Sequence, residues 1–194
     1  MDIRKVFFSN RSYTPIPIAL AMIYYSSFTI PYFFLGIFLV LLGEITRISA
    51  VRYAGGATRT LKVGAPSLCT SGPYAFSRNP LYLGNMTIYL GFTLFAGGPL
   101  MWEILILVFI YFTIQYSMII SLEEEILNKK FNKSYLIYKK NVPRLFPRLY
   151  SWKNNDSRYP SEYKKTLNTE KRSLQNIILI TLIILVKNYY RYAN

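Results

Sequence analysis

The segment Pro80–Ser121 reads PLYLGNMTIYLGFTLF, then AGGP at positions 96–99, then LMWEILILVFIYFTIQYSMIIS. Each apolar arm approaches the roughly 20 helical residues that cross the hydrocarbon core of a bilayer. Glycine and proline between them favour a tight turn. The segment therefore predicts two antiparallel membrane helices, Pro80–Phe95 and Leu100–Ser121, and with them an all-α, polytopic membrane protein.

A second hairpin is predicted nearer the start of the chain. The apolar run from Pro15 to Ile45 is too long for one span, and Ser26-Ser27 with Pro31 offers a break near its middle. Two short helices are expected here. Because the run continues past Ala19-Leu20-Ala21, we expect an uncleaved span and not a signal peptide.

The apolar run Leu174–Val186 predicts a last span, which brings the expected total to about five transmembrane helices, including two helical hairpins. The predicted organisation is a membrane core over residues 1–148, a polar cytoplasmic linker over 149–172 and a C-terminal transmembrane helix over 173–194.

Composition excludes several classes of site. The chain has no histidine and a single cysteine, Cys69, so a zinc finger, a histidine metal site, a Ser-His-Asp triad and an intrachain disulfide are excluded, and no metal site is predicted. In a chain that is 52% hydrophobic, a net charge of +14 predicts basic loops held against anionic lipid and not a nucleic-acid partner.

The basic residues also predict the orientation of the spans. Three segments contain 21 of the 23 lysines and arginines: the N-terminal arm, the loop between the hairpins, which includes Arg59 and Lys62, and the region from Ser121 to Arg172. Five spans with the N-terminus inside place all three segments on the cytoplasmic face, as the excess of positive charge there requires. Within the third segment, Glu123–Lys140 spaces apolar residues three and four apart and predicts an amphipathic helix at the membrane surface.

Polar residues gather at the cytoplasmic mouth of the Pro80–Ser121 hairpin. Pro80 suits the first position of a helix and Asn79 its cap, while the helix end and Arg78 together offer positive charge to an anion. Gly84, one turn further on, is expected to let a flat ligand approach the backbone. Because the turn makes the two helices neighbours, Glu123 and Glu124 are expected to come close to Arg78.

These residues, in order, resemble one superfamily of integral membrane enzymes, the isoprenylcysteine carboxyl methyltransferases and phospholipid methyltransferases. The resemblance covers roughly residues 45–147 and is carried by the ordered set Gly72-Pro73-Tyr74, Arg78-Asn79-Pro80-Leu81-Tyr82-Leu83-Gly84, Glu123-Glu124 and Val142-Pro143-Arg144.

The resemblance implies S-adenosylmethionine as cofactor and a lipid or prenylated acceptor in the membrane. It implies a cofactor site formed by Gly72, Tyr74, Arg78, Asn79, Tyr82, Gly84, Glu123 and Glu124, with Arg144 and Arg78 as the catalytic residues. Asn79 stands where the carboxyl methyltransferases usually have histidine, a form common in bacterial and phospholipid-type relatives, and Asn132 replaces a usual glycine. The form with Asn79 weakens the expectation of a prenylated cysteine as substrate. We expect a protein of a bacterial inner membrane with its active site facing the cytoplasm. Its oligomeric state is not predicted.

The chemistry suits a site without histidine. Methyl transfer from a sulfonium needs aligned reactants, excluded water and managed charge, but no covalent intermediate. A carboxylate acceptor is already ionised near neutral pH, whereas an amine must lose a proton, so a carboxylate is slightly favoured. The alternative is a non-catalytic membrane transporter or assembly subunit with basic lipid-binding loops.

Overall fold

The computed structural model describes residues 2–55 and 63–193, so Arg59 and Lys62 lie outside the described residues. The described part is helical, with a short 3₁₀ turn at Gly72–Ala75. Its α-helices are α1 (Ile3–Asn10), α2 (Ile16–Tyr25), α3 (Tyr32–Ala54), α4 (Pro80–Ala96), α5 (Met101–Asn141) and α6 (Tyr163–Ala193).

The helices confirm a polytopic membrane protein. Three of them, α3, α5 and α6, are long and apolar enough to cross a bilayer. The other two predicted spans also form helices, α2 with 10 residues and α4 with 17. At 1.5 Å per residue these two extend only about 15 and 26 Å, so α2 is too short to cross the hydrocarbon core by itself.

Glycines set the distance between α3 and α4. Gly36 and Gly43 on α3 face Gly91 and Gly84 on the antiparallel α4, and both pairs are spaced seven residues apart. A Cβ atom at Gly43 would lie 2.7 Å from the carbonyl oxygen of Gly84. The two backbones therefore touch, as small residues allow in membrane helix pairs.

The predicted turns meet at one end of the bundle. Ser27 forms a β-bridge with Gly97, and its amide donates to the carbonyl of Ala96. Lys187, near the end of α6, donates to the carbonyls of Ile23 and Tyr24 at the end of α2. This convergence agrees with the predicted parity of the spans. The break between α2 and α3 is also confirmed. The two helices pack mainly on other helices, however: α2 on α4, α5 and α6, and α3 along α4.

The predicted amphipathic helix is the second part of α5. The helix is continuous from Met101 but is kinked at Asn132, whose φ is +40°. Glu124 and Lys139 both contact Arg78, although a straight helix would place them about 22 Å apart. The chain must therefore turn back at Asn132. Asparagine tolerates positive φ better than most residues, which explains how it can occupy this position.

The predicted linker contains the first turns of α6, which begins at Tyr163, ten residues before the predicted span. The rest of that segment is fixed to the loop before the 3₁₀ turn: Asp156 accepts hydrogen bonds from the amide and hydroxyl of Thr70, and Asn154 donates to its carbonyl. Partial burial opposes ionisation of Asp156, but the hydrogen bonds from Thr70 and Ser71 and the charge of Arg158 bring its pKa below the ordinary value. The division into core, linker and C-terminal helix stays a prediction.

Helix α1 is an element that the sequence analysis did not predict. The carboxylate of Asp2 caps it by accepting from the amide of Arg4, and Phe8 is buried in the core. The guanidinium of Arg4 also pairs with Glu125 at 3.0 Å, so α1 lies against α5 beside Glu123 and Glu124.

Candidate active site

The mouth of the α4–α5 hairpin is closed by two irregular segments that run side by side. The amides of Arg78, Arg148 and Trp152 donate to the carbonyls of Pro143, Phe76 and Ala75, respectively. The hydroxyl of Ser77 also donates to the carbonyl of Leu145. These bonds hold the segment after α5 against the loop before α4, and they fix the residues on both.

Arg78 is held entirely by protein atoms. Its Nη2 and Nε donate to the same Glu124 oxygen at 2.7 and 3.3 Å, and its Nη1 donates to the carbonyls of Lys139 and Val142. The side chains of Arg78 and Glu124 are only 8% and 13% exposed, respectively. The guanidinium of Arg78 thus connects the start of α4 with the parts of α5 before and after the kink at Asn132.

Arg144 presents a more open guanidinium to the same carboxylate. Its Nε lies 3.5 Å from the Glu124 oxygen that Arg78 contacts, yet its side chain is 42% exposed. The side-chain amide of Asn79 donates to the backbone carbonyl of Arg144 at 2.7 Å, which fixes the backbone at this position. Asn79 occupies the predicted cap position of α4 but makes no side-chain cap bond.

Glu123 is engaged on the α4 side. The hydroxyl of Tyr82 donates to one of its oxygens at 2.9 Å, and the ring of Tyr82 packs against Tyr116 with 4.8 Å between centroids. The adjacent carboxylates therefore have separate partners on α4 and on the segment leading into it. Burial nevertheless raises the pKa of Glu123 to about 7, although the hydrogen bond from Tyr82 opposes this rise.

A cleft of about 240 Å³ opens beside Glu124 and its partner Arg144. It is lined by Ser121, Glu124, Glu125, Asn128, Lys139 and Arg144. Carboxylates, cations, an amide and a hydroxyl together suit a ligand with both charges and hydroxyl groups. The volume is slightly below the usual range for a whole small-molecule site, so the cleft matches the polar portion of such a ligand.

The structure gives two of the predicted site glycines a packing role. A Cβ atom at Gly84 would lie 2.6 Å from Cγ of Arg47, so the missing side chain serves the α3–α4 contact. Gly72 has a φ of +57°, and a Cβ there would lie 2.5 Å from the ring of Tyr53. Both glycines therefore have a packing role, and their part in a cofactor site stays a prediction.

Tyr74 is not among the residues that line the cleft. Its carbonyl accepts a hydrogen bond from the hydroxyl of Tyr138, whose ring stacks on Trp152. Burial raises the pKa of Tyr74 well above its ordinary value, so the phenol stays neutral. Burial also raises the pKa of Cys69, which makes this thiol a poor nucleophile.

The sequence analysis missed several residues of the cleft. Lys139 was placed on the surface helix, but the reversal at Asn132 brings its carbonyl to Arg78 and its side chain to the cleft. Ser121, Glu125 and Asn128 also line the cleft and were not predicted as site residues. The sequence signal that could have located Lys139 was Asn132, a residue suited to a sharp turn inside a helical pattern.

Comparisons with known proteins agree with this geometry. A family model described as phospholipid methyltransferase matches residues 31–134, more than half of the chain. The chain is also 35% identical over 112 residues to the protein-S-isoprenylcysteine O-methyltransferase of Saccharomyces cerevisiae, a match that covers 56% of this chain and 46% of the yeast protein. The chain thus spans about half the length of that relative. No solved structure matches this chain. The matched region contains α3, α4 and α5 through Glu123 and Glu124, and the chain therefore belongs to the phospholipid methyltransferase family.

Proposed function

We propose that the chain is a membrane methyltransferase that uses S-adenosylmethionine and acts on a lipid or prenyl-type acceptor. The observation that carries the proposal is the convergence of Arg78 and Arg144 on Glu124 beside a polar cleft at the end of apolar helices. Such a position can receive a water-soluble ligand from one side and an acceptor dissolved in the bilayer from the other. The count of basic residues favours a site on the cytoplasmic face of the membrane.

The donor set of the cleft fits the cofactor. When bound, S-adenosylmethionine supplies a methyl group on a sulfonium centre. In our proposal, Glu124 and Glu125 accept hydrogen bonds from its hydroxyl and ammonium groups, and Lys139 pairs with its carboxylate. Asn79, Tyr82 and Glu123 complete the wall at the start of α4. The contact of Tyr82 with Tyr116 helps to exclude water from the reacting centre.

The two arginines have different tasks in this proposal. Four hydrogen bonds occupy the guanidinium of Arg78, so we assign it a positioning role that holds Glu124 and the end of α5 in place. The side chain of Arg144 remains half open, so it is the cation that can turn towards an acceptor.

The acceptor is proposed to be a carboxylate. An amine acceptor needs a base, and the group available for that task is Glu123, whose pKa burial raises to about 7 and whose carboxylate already accepts from Tyr82. An acceptor carboxylate is ionised before it arrives and needs only a cation to orient it, a task that suits Arg144. The yeast relative is named as an O-methyltransferase, which is consistent with this choice.

The nature of the methylated bond tests the proposal. Purified protein in lipid nanodiscs is incubated with methyl-labelled S-adenosylmethionine and either a prenylated cysteine or a bacterial lipid extract. We expect label in the organic phase that alkali releases as volatile methanol, because carboxyl methyl esters hydrolyse and methylamines do not. Alkali-stable label would exclude the carboxylate acceptor, and absence of any transfer with both acceptor sets would contradict the enzyme assignment.

A further inference from the structure

The chain after the kink carries charges of one sign only, and it also has exposed apolar side chains. Between Ile126 and Asn155 there are eight lysines and arginines and no aspartate or glutamate. We call residues 133–153 the interfacial segment. Its second half presents three large apolar side chains to the surroundings: Phe146 is 74% exposed, Leu149 90% and Tyr150 79%.

The exposed apolar side chains belong to a fixed backbone. The amides of Arg148 and Trp152 donate to carbonyls in the loop before α4, and Arg148 also donates through Nη1 to the carbonyl of Asn141. Leu145 packs on the core while Phe146 does not. The exposure of Phe146, Leu149 and Tyr150 is thus part of the folded arrangement, and it leaves an apolar surface that water does not favour.

The helical half of the interfacial segment has the same two-sided character. Tyr135 and Tyr138 are buried on one face, against Trp152 and the loop before α4. The opposite face carries Leu136 and Ile137, both more than half exposed, together with exposed Lys133 and Lys140. Apolar side chains among lysines are typical of a segment that lies in the headgroup region of a bilayer.

We propose that the interfacial segment docks into the anionic leaflet beside the cleft, with Phe146, Leu149 and Tyr150 inserted between lipids and its lysines against acidic headgroups. A bilayer is the favoured partner because the segment continues directly from a membrane-spanning helix, and because its uniform positive charge complements anionic lipid. Docking has a structural consequence. Arg144 lies within the segment, so its guanidinium and the cleft are held at headgroup depth.

Site-specific fluorescence tests this placement in the full chain. In a Cys69→Ser background, Phe146→Cys and Leu149→Cys each carry an environment-sensitive label, and Tyr159→Cys is the matched control, since Tyr159 is 89% exposed but lies outside the segment. In nanodiscs of phosphatidylcholine with phosphatidylglycerol, we expect lipid-borne spin labels to quench positions 146 and 149 and aqueous iodide to quench position 159. Equal iodide quenching at all three positions would overturn the proposal.

A second experiment tests whether docking requires the lysines. The triple variant Lys133→Gln, Lys140→Gln, Lys153→Gln is expected to lose iodide protection at position 146 when phosphatidylglycerol is present. Unchanged protection at position 146 in the triple variant would refute the role of acidic headgroups. If iodide reached position 146 in every bilayer, docking itself would be refuted, and an acidic protein would be the better candidate partner. Thermal unfolding of each variant confirms that it is folded. None of these readouts depends on methyl transfer, so the result stands apart from the proposed function.

Discussion

Replacing Arg78 by alanine is expected to lower the free energy of unfolding by about 3 to 5 kcal/mol, because it leaves the buried carboxylate of Glu124 without its main partner. The substitution also removes the donors to the carbonyls of Lys139 and Val142, which hold the chain after the kink. Chemical unfolding in detergent micelles measures the change. Arg78→Lys should recover only part of the loss, since an ammonium lacks the forked donors of a guanidinium.

The matched control for this prediction is Arg4→Ala. Arg4 pairs with Glu125, the neighbour of Glu124, at a similar distance of 3.0 Å, but the carboxylate is 42% exposed. An exposed pair contributes about 0 to 1 kcal/mol, so this variant should unfold almost as the wild type does. If Arg78→Ala and Arg4→Ala cost the same, burial is not what makes the Arg78–Glu124 pair important, and the proposed clamp is wrong.

Replacing Arg144 by alanine should lower kcat/KM for methyl transfer by about 10² to 10³-fold, a loss typical of removing one group that stabilises charge in the reacting complex. The side chain is partly exposed and its backbone stays bonded to Asn79, so the unfolding temperature should hardly change. Initial rates at varied acceptor concentration measure the effect. Arg172→Ala, which removes an exposed arginine on α6, serves as the control with unchanged rates.

A different outcome would reassign Arg144. If its loss lowered stability as much as activity, the side chain would be a structural partner of Glu124 like Arg78. If activity were unchanged, the acceptor would have to be oriented by another cation of the cleft, of which Lys139 is the nearest candidate.

The hairpin at the centre of the fold was predictable from sequence because two physical signals coincide there. Each apolar arm predicts a helix, and the Ala96–Pro99 turn leaves room only for an antiparallel return. Once that is known, the start of α4 and the end of the return must lie together. The meeting of Arg78 with Glu124 was predicted for this reason, and the structure confirms it.

Other features could not be read from local pattern alone. In the sequence, Gly84 is compatible both with a close ligand and with a close helix contact. The helix contact is visible only in the structure, where Gly43 and Arg47 face it. The reversal at Asn132 depends on tertiary contacts of the chain that follows it. Helix α1 has only eight residues, too few for a clear helical pattern, and its position comes from its contacts with α5.

Titration of the purified protein with S-adenosylmethionine in nanodiscs tests the central claim most directly. The account predicts saturable binding that Glu124→Gln weakens strongly, while Glu103→Gln, at the opposite end of α5, leaves it unchanged. Absence of binding at millimolar cofactor, or equal affinity in the wild type and Glu124→Gln, would contradict a cofactor site between the start of α4 and the middle of α5.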